Sequence, residues 1–137
     1  MVRIVAGIEV GSKDKGYNCK ALFLGTISDA LYRFVYNGAS TIDITVGYEA
    51  IKGRGFPGDI SWPVRETWEK KEYPSSGSGC CWMSLPEVRE LADRYAKAFG
   101  EKDTFLLAVL SQMEELERVY STKTRLIFWG ELEDSPK

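Results

Sequence analysis

A chain of 137 residues, 44% hydrophobic and 12% aromatic, is long enough for one packed domain over 1–137 and too apolar for a disordered linker. Its 18 basic and 20 acidic residues leave a formal charge of −2, so no global basic field draws it to nucleic acid. Histidine is absent, which removes the commonest general acid/base, the commonest nitrogen metal ligand and any Ser–His or Cys–His relay.

Residues 3–10, RIVAGIEV, are β-branched and partly alternating and predict a strand. GSKDKGYN at 11–18 is a connection rich in turn residues, and CKALFL at 19–24 is a second strand that completes an antiparallel hairpin. Thr26 or Ser28 caps a short helix reaching about Tyr36, with Leu31, Phe34 and Val35 on one face and Asn37-Gly38 at its end. STIDITVGY at 40–48 alternates with period two and predicts a half-buried strand.

Glycines punctuate a loop over 49–60. Ser61 then caps a short helix with Pro63 in its first turn and Val64 and Trp68 facing inward, stopped at Tyr73-Pro74. SSGSG at 75–79 is the most flexible segment by composition. Ser84 and Glu87 form a capping box, opening a helix with Val88, Leu91, Tyr95, Ala98 and Phe99 in register and Gly100 as its stop. Asp103 caps a second helix, whose stripe runs from Phe105 through Val109, Met113 and Leu116 to Tyr120. TRLIFWGEL at 124–132 is a last strand, followed by a frayed acidic tail. The order β-β-α-β-(short α)-α-α-β predicts an α+β fold, a mainly antiparallel sheet with helices packed on one face.

Cys19, Cys80 and Cys81 are odd in number and lack C-x-x-C spacing, so they read as thiols in a reducing compartment and not as disulfides or metal ligands. The segment MVRIVAG turns polar too soon for a secretory signal, and no apolar run nears the ~20 residues of a membrane span. The expectation is a protein without membrane contact, in a cytoplasm.

From residue 54 onward the chain resembles a family of small phage and prophage proteins. The likeness rests on Arg54, Gly55, Pro57, Asp59 and Ser61 (R-G-x-P-x-D-x-S), followed by Val64 and Trp68. It continues through Ser76, Ser78, Trp82, Ser84, Leu85 and Glu87 and closes on Arg125–Trp129. Family members begin with a Cys-Asp-Ile-His segment and carry His in the Gly/Ser loop. This chain has Ile4, Val5 and Ala6 in the first place and Gly79 and Cys80 in the second. The resemblance implies a viral context, and hence a host cytoplasm, but no settled activity.

The loop Lys52-Gly53-Arg54-Gly55 puts two cations on a glycine-freed backbone able to form an anion-binding concavity. The alternative is a structural turn in which Arg54 pairs with Asp59 or a helix carboxylate. Ser76, Ser78 and Trp82 add hydroxyls and a stacking ring close in sequence. Lys52, Arg54, Gly55, Ser76, Ser78 and Trp82 are therefore the predicted ligand-binding residues, with no catalytic residue, metal or cofactor. The expected function is a viral counter-defence protein, a homo-oligomer, that sequesters a host nucleotide signal without cleaving it. Two alternatives are a module that blocks a host protein through Trp62, Trp68 and Trp82, and a carboxylate- and metal-dependent nucleotide-cleaving enzyme.

Overall fold

The computed structural model of the protein describes residues 2–12, 14–31, 55–71 and 75–132. The N-terminal hairpin forms as predicted but with longer arms, β1 (Val2–Ser12) and β2 (Gly16–Thr26). Gly11 makes this close return feasible: at φ +148° its Cα sits against the Gly16 carbonyl, where any side chain would collide. Two register shifts interrupt the pairing, between Ile4 and Val5 and between Ile8 and Glu9. The second leaves Lys20 without a β1 partner, and its ammonium lies 4.9 Å from the Tyr120 ring.

Ser28 precedes a helical turn, α1 (Asp29–Leu31), and its hydroxyl accepts from Leu31 N at 3.2 Å, as a cap should. The remainder of that predicted helix, the predicted strand at 40–48, Lys52, Arg54, Tyr73-Pro74 and the tail beyond 132 lie outside the described residues.

Helix α2 (Trp62–Glu69) carries Pro63 in its first turn, with Val64 buried and Trp68 packed inward. Ser61 holds the N-cap position, but its hydroxyl makes no capping bond, contrary to expectation. Its backbone N–H donates instead to Glu9 Oε2 at 2.6 Å, and the loop entering the helix is oriented by that carboxylate.

The Gly/Ser segment is not a flexible linker. It opens strand β3 (Ser75–Ser84), which pairs antiparallel with β4 (Thr124–Leu132). Composition alone misleads here because a strand's partner supplies its hydrogen bonds whatever the side chains are. The surplus is absorbed locally: Ser76 faces Gly130 and Cys80 faces Trp129, so 77–79 have no partners in the ladder. Helices α3 (Leu85–Phe99) and α4 (Thr104–Tyr120) follow as predicted. The capping box is present, Glu87 Oε1 accepting from Ser84 N at 2.9 Å, and left-handed Gly100 (φ +70°) ends α3.

The sheet order is β2-β1-β4-β3, antiparallel throughout, and the fold is α+β. Ile4, Ala6 and Ile8 of β1, Met83 of β3 and Leu126 and Phe128 of β4 bury themselves under α1, α3 and α4. The expectation of helices on one face holds for these three and fails for α2, because the alternate strand residues are apolar too and need a cover of their own. The alternate residues Val5, Ile127 and Trp129 meet α2 on the opposite face. Gly7 is the reason α2 sits so close: a Cβ there would lie 2.7 Å from Val64 Cγ2. Trp129 is fully buried between Trp68 and Phe56, at 5.2 and 5.8 Å between ring centroids and edge-to-face with both. Such contacts add roughly 0.5–1.5 kcal/mol each beyond the area they bury.

Candidate ligand-binding site

Sheet register lays out the polar end of the α2 face row by row. Cys19, Glu9, Arg125 and Ser84 stand side by side on β2, β1, β4 and β3. One row inward come Leu22, Gly7, Ile127 and Trp82, and one row outward Tyr17 pairs with Gly11. The loop 57–61, delivered by the start of α2, crosses over the charged row.

Glu9 and Arg125 are neighbours in the middle of the sheet, and Glu9 is fully buried. Arg125 Nε donates to Glu9 Oε1 at 2.6 Å, while Nη1 donates to Asp59 Oδ1 at 3.0 Å and Nη2 to the Asp59 carbonyl at 3.1 Å. The guanidinium carbon also lies 3.5 Å from the Tyr17 ring centroid. Burying a charge is tolerable only with partners of this quality. A continuous chain, Ser61 N–H to Glu9 to Arg125 to Asp59, thus runs from the helix start through the sheet to the surface. Beside it, burial pushes the Cys19 thiol up from its ordinary pKa; its bond to the Ala21 carbonyl opposes the shift and the Glu9 charge adds to it.

Asp59 and Arg125 open into a cleft of about 610 Å³. Tyr17 and Trp82 contribute its rings, and Pro57 and Gly58 form one wall. Ser84, Lys123 and Thr124 complete it. The Ser84 and Thr124 hydroxyls are occupied by Glu87 and Glu117. Among the described residues, Lys123 makes no ion pair, and the second oxygen of Asp59 takes no hydrogen bond although that side chain is 43% exposed. What the cleft offers a visitor is one ammonium, one carboxylate edge and the uncovered parts of two rings, Tyr17 already carrying Arg125 on one face and Trp82 partly buried against the Trp129 cluster.

Of the residues predicted from sequence, Trp82 lines this cleft. Gly55, left-handed at φ +69° with open space around it, lies just before the Pro57–Gly58 wall. Ser76 pairs opposite Gly130, three ladder positions or about 10 Å from the Trp82–Ile127 pair, and Ser78 falls among the unpaired residues of β3. Lys52 and Arg54 lie outside the described residues. Asp59 takes Arg125 as a partner, while the pairing with Arg54 considered from the sequence involves a residue outside the described ones. Trp68 is core, packed on Trp129 with the Lys71 ammonium over it at 3.7 Å, whereas Trp62 is 68% exposed.

The binding residues predicted from sequence do not include Glu9, Tyr17, Asp59, Lys123 or Arg125. A signal existed for two of them: a charge inside each of the apolar runs RIVAGIEV and RLIFW requires a buried partner. Nothing comparable marked Tyr17 or Lys123. The chain matches no family model, no curated protein and no solved structure. Among the described residues no group of three or more His, Cys, Asp or Glu is placed to hold a metal ion, and no helix is long and apolar enough to cross a membrane.

Proposed function

We propose that this protein binds a small phosphorylated, base-containing ligand and holds it without cleaving it. In the viral setting suggested by the family resemblance, that makes it a counter-defence protein sequestering a host nucleotide signal in the host cytoplasm. The observation that carries the reading is the pairing of aromatic and cationic groups in one cleft. Trp82 and the Tyr17 face that Arg125 leaves uncovered are the candidates for stacking, and Lys123 offers a charge for phosphate. A net charge of −2 argues against long polyanions, whose affinity comes from many cations, and favours a ligand with few phosphates. The same reading makes the protein a homo-oligomer, in which a second copy encloses the open side of the cleft.

The test is a thermal-shift panel of cyclic di- and trinucleotides and ADP-ribose isomers, followed by light scattering with the best ligand. Saturation at a hundredfold excess over Kd stabilises the native state by about 2.7 kcal/mol, which the melt registers readily. Ligand released by heat is expected chemically unchanged. A panel without any upshift overturns the proposal, and recovered cleavage products replace it with the enzymatic alternative.

Trp62 favours a second reading. An indole 68% exposed on α2 is the kind of anchor that a host protein would engage. A host-lysate pull-down that captures one polypeptide, and loses it with Trp62→Ala, supports this alternative; capture unaffected by that change counts against it.

A further inference from the structure

If the cleft takes a nucleotide, its polar groups already specify which edge of the base they fit. The candidate acceptor is Asp59. Its carboxylate is not a free rotor: Arg125 Nη1 holds Oδ1 at 3.0 Å and Nη2 holds the backbone carbonyl of the same residue at 3.1 Å. Arg125 is itself fixed by fully buried Glu9 at 2.6 Å, and Glu9 by Ser61 N–H at 2.6 Å. The rotamer entropy of Asp59 is therefore spent on folding, before any ligand arrives.

The charges within this chain do not cancel. Two carboxylates face one guanidinium, leaving one net negative charge, and the partly exposed member is Asp59. Arg125 is correspondingly unsuited to grip a phosphate, because its fork is already occupied and its face is covered by Tyr17. Lys123 remains as the cleft's cation without an ion pair among the described residues.

We infer that the cleft selects guanine over adenine, with Asp59 accepting from the base edge, Tyr17 or Trp82 stacking on its face and Lys123 meeting the phosphate. This rests on the nucleotide reading above. The selectivity follows from donor patterns. Guanine presents two adjacent donors, N1–H and the 2-amino group, which suit the two oxygens of one carboxylate. The 6-amino group of adenine is flanked by the N1 lone pair, which a carboxylate repels. Cytosine has the same defect, and the single N–H of uracil lies between two carbonyls. A bidentate match of this kind discriminates by roughly tenfold or more.

Calorimetry on the full chain with matched pairs, GMP against AMP and cyclic di-GMP against cyclic di-AMP, tests the inference, with IMP as the guanine analogue lacking the 2-amino group. The expected result is guanine at least tenfold tighter than adenine within a pair, and IMP weaker than GMP. Asp59→Asn keeps an acceptor for Arg125 but replaces the other oxygen by a donor; it should abolish the preference while leaving the unliganded melt near wild type. Lys123→Gln should weaken both members of each pair alike. Equal affinity for guanine and adenine, or a preference that survives Asp59→Asn, overturns the base assignment and leaves nucleotide binding intact. Failure of every compound, guanine and adenine alike, removes both.

Discussion

Glu9 and Arg125 are 116 residues apart in sequence and directly opposite one another on β1 and β4, with Oε1 and Nε separated by 2.6 Å and Glu9 wholly shielded from water. The pair is a liability if either member is removed alone, since the survivor keeps its desolvation penalty without its partner.

Glu9→Ala is therefore expected to destabilise the fold by about 3–5 kcal/mol in urea titration. Replacing both partners with apolar residues should recover most of that loss. The double variant would still lose the Arg125 bonds to Asp59, so amide exchange at Gly58, Asp59 and Ile60 should speed up even where global stability returns. Recovery of stability with wild-type protection of the loop would contradict the role given to Arg125.

Gly7→Ala tests the packing of α2. The added methyl would meet Val64 Cγ2 at 2.7 Å, and Val64 is fully buried. Overpacking of this kind costs about 1–3 kcal/mol. Combining it with Val64→Ala should relieve the collision, so the double variant is expected to be more stable than the sum of the two single changes predicts.

Asp103 secures two helix starts at once. Its Oδ1 accepts from Leu106 N at 2.9 Å to cap α4, while Oδ2 accepts from Ala30 N at 2.9 Å and the Ser28 hydroxyl at 3.0 Å. An ordinary cap is worth about 1 kcal/mol. Asp103→Ala removes three bonds from a buried site and should cost about 2–4 kcal/mol. If chemical denaturation shows only the loss of a single cap, the α1 contact carries no energy.

Tyr95 sets the alkaline limit. Burial first, and then its bond to Asp29 Oδ2 at 2.6 Å, push the phenol pKa well above its ordinary value. A pKa raised on folding contributes stability that is present below the unfolded value of about 10 and is lost as pH rises beyond it. Melting temperature should therefore fall above about pH 10. Tyr95→Phe, which has no proton to lose, should reduce that fall, at the expense of one hydrogen bond at neutral pH. An identical alkaline slope in the variant would assign the loss to other groups.

The local punctuation of this chain was legible without coordinates. Ser84 with Glu87, Gly100, Asp103 and the stripes of α3 and α4 act within four residues of themselves, so side-chain chemistry determines them directly. Ser61 shows where such reasoning stops: its chemistry suits a cap, yet its backbone donates to Glu9, a residue 52 positions away. SSGSG shows the same limit in a strand: Ser75 and Ser76 pair with Glu131 and Gly130 of β4 whatever their composition, and 77–79 are the residues left out of the ladder.

The amino-acid order alone thus determined the hairpin, the helical pair, the final strand and the α+β class, because each depends on short-range periodicity and capping. Tertiary structure decided that β4 inserts between β1 and β3, that Gly7 admits α2, and that Tyr17, Asp59, Trp82, Lys123 and Arg125 share one cleft. These outcomes depend on cross-strand register and on the partner a buried charge must find, and neither is encoded within any single segment.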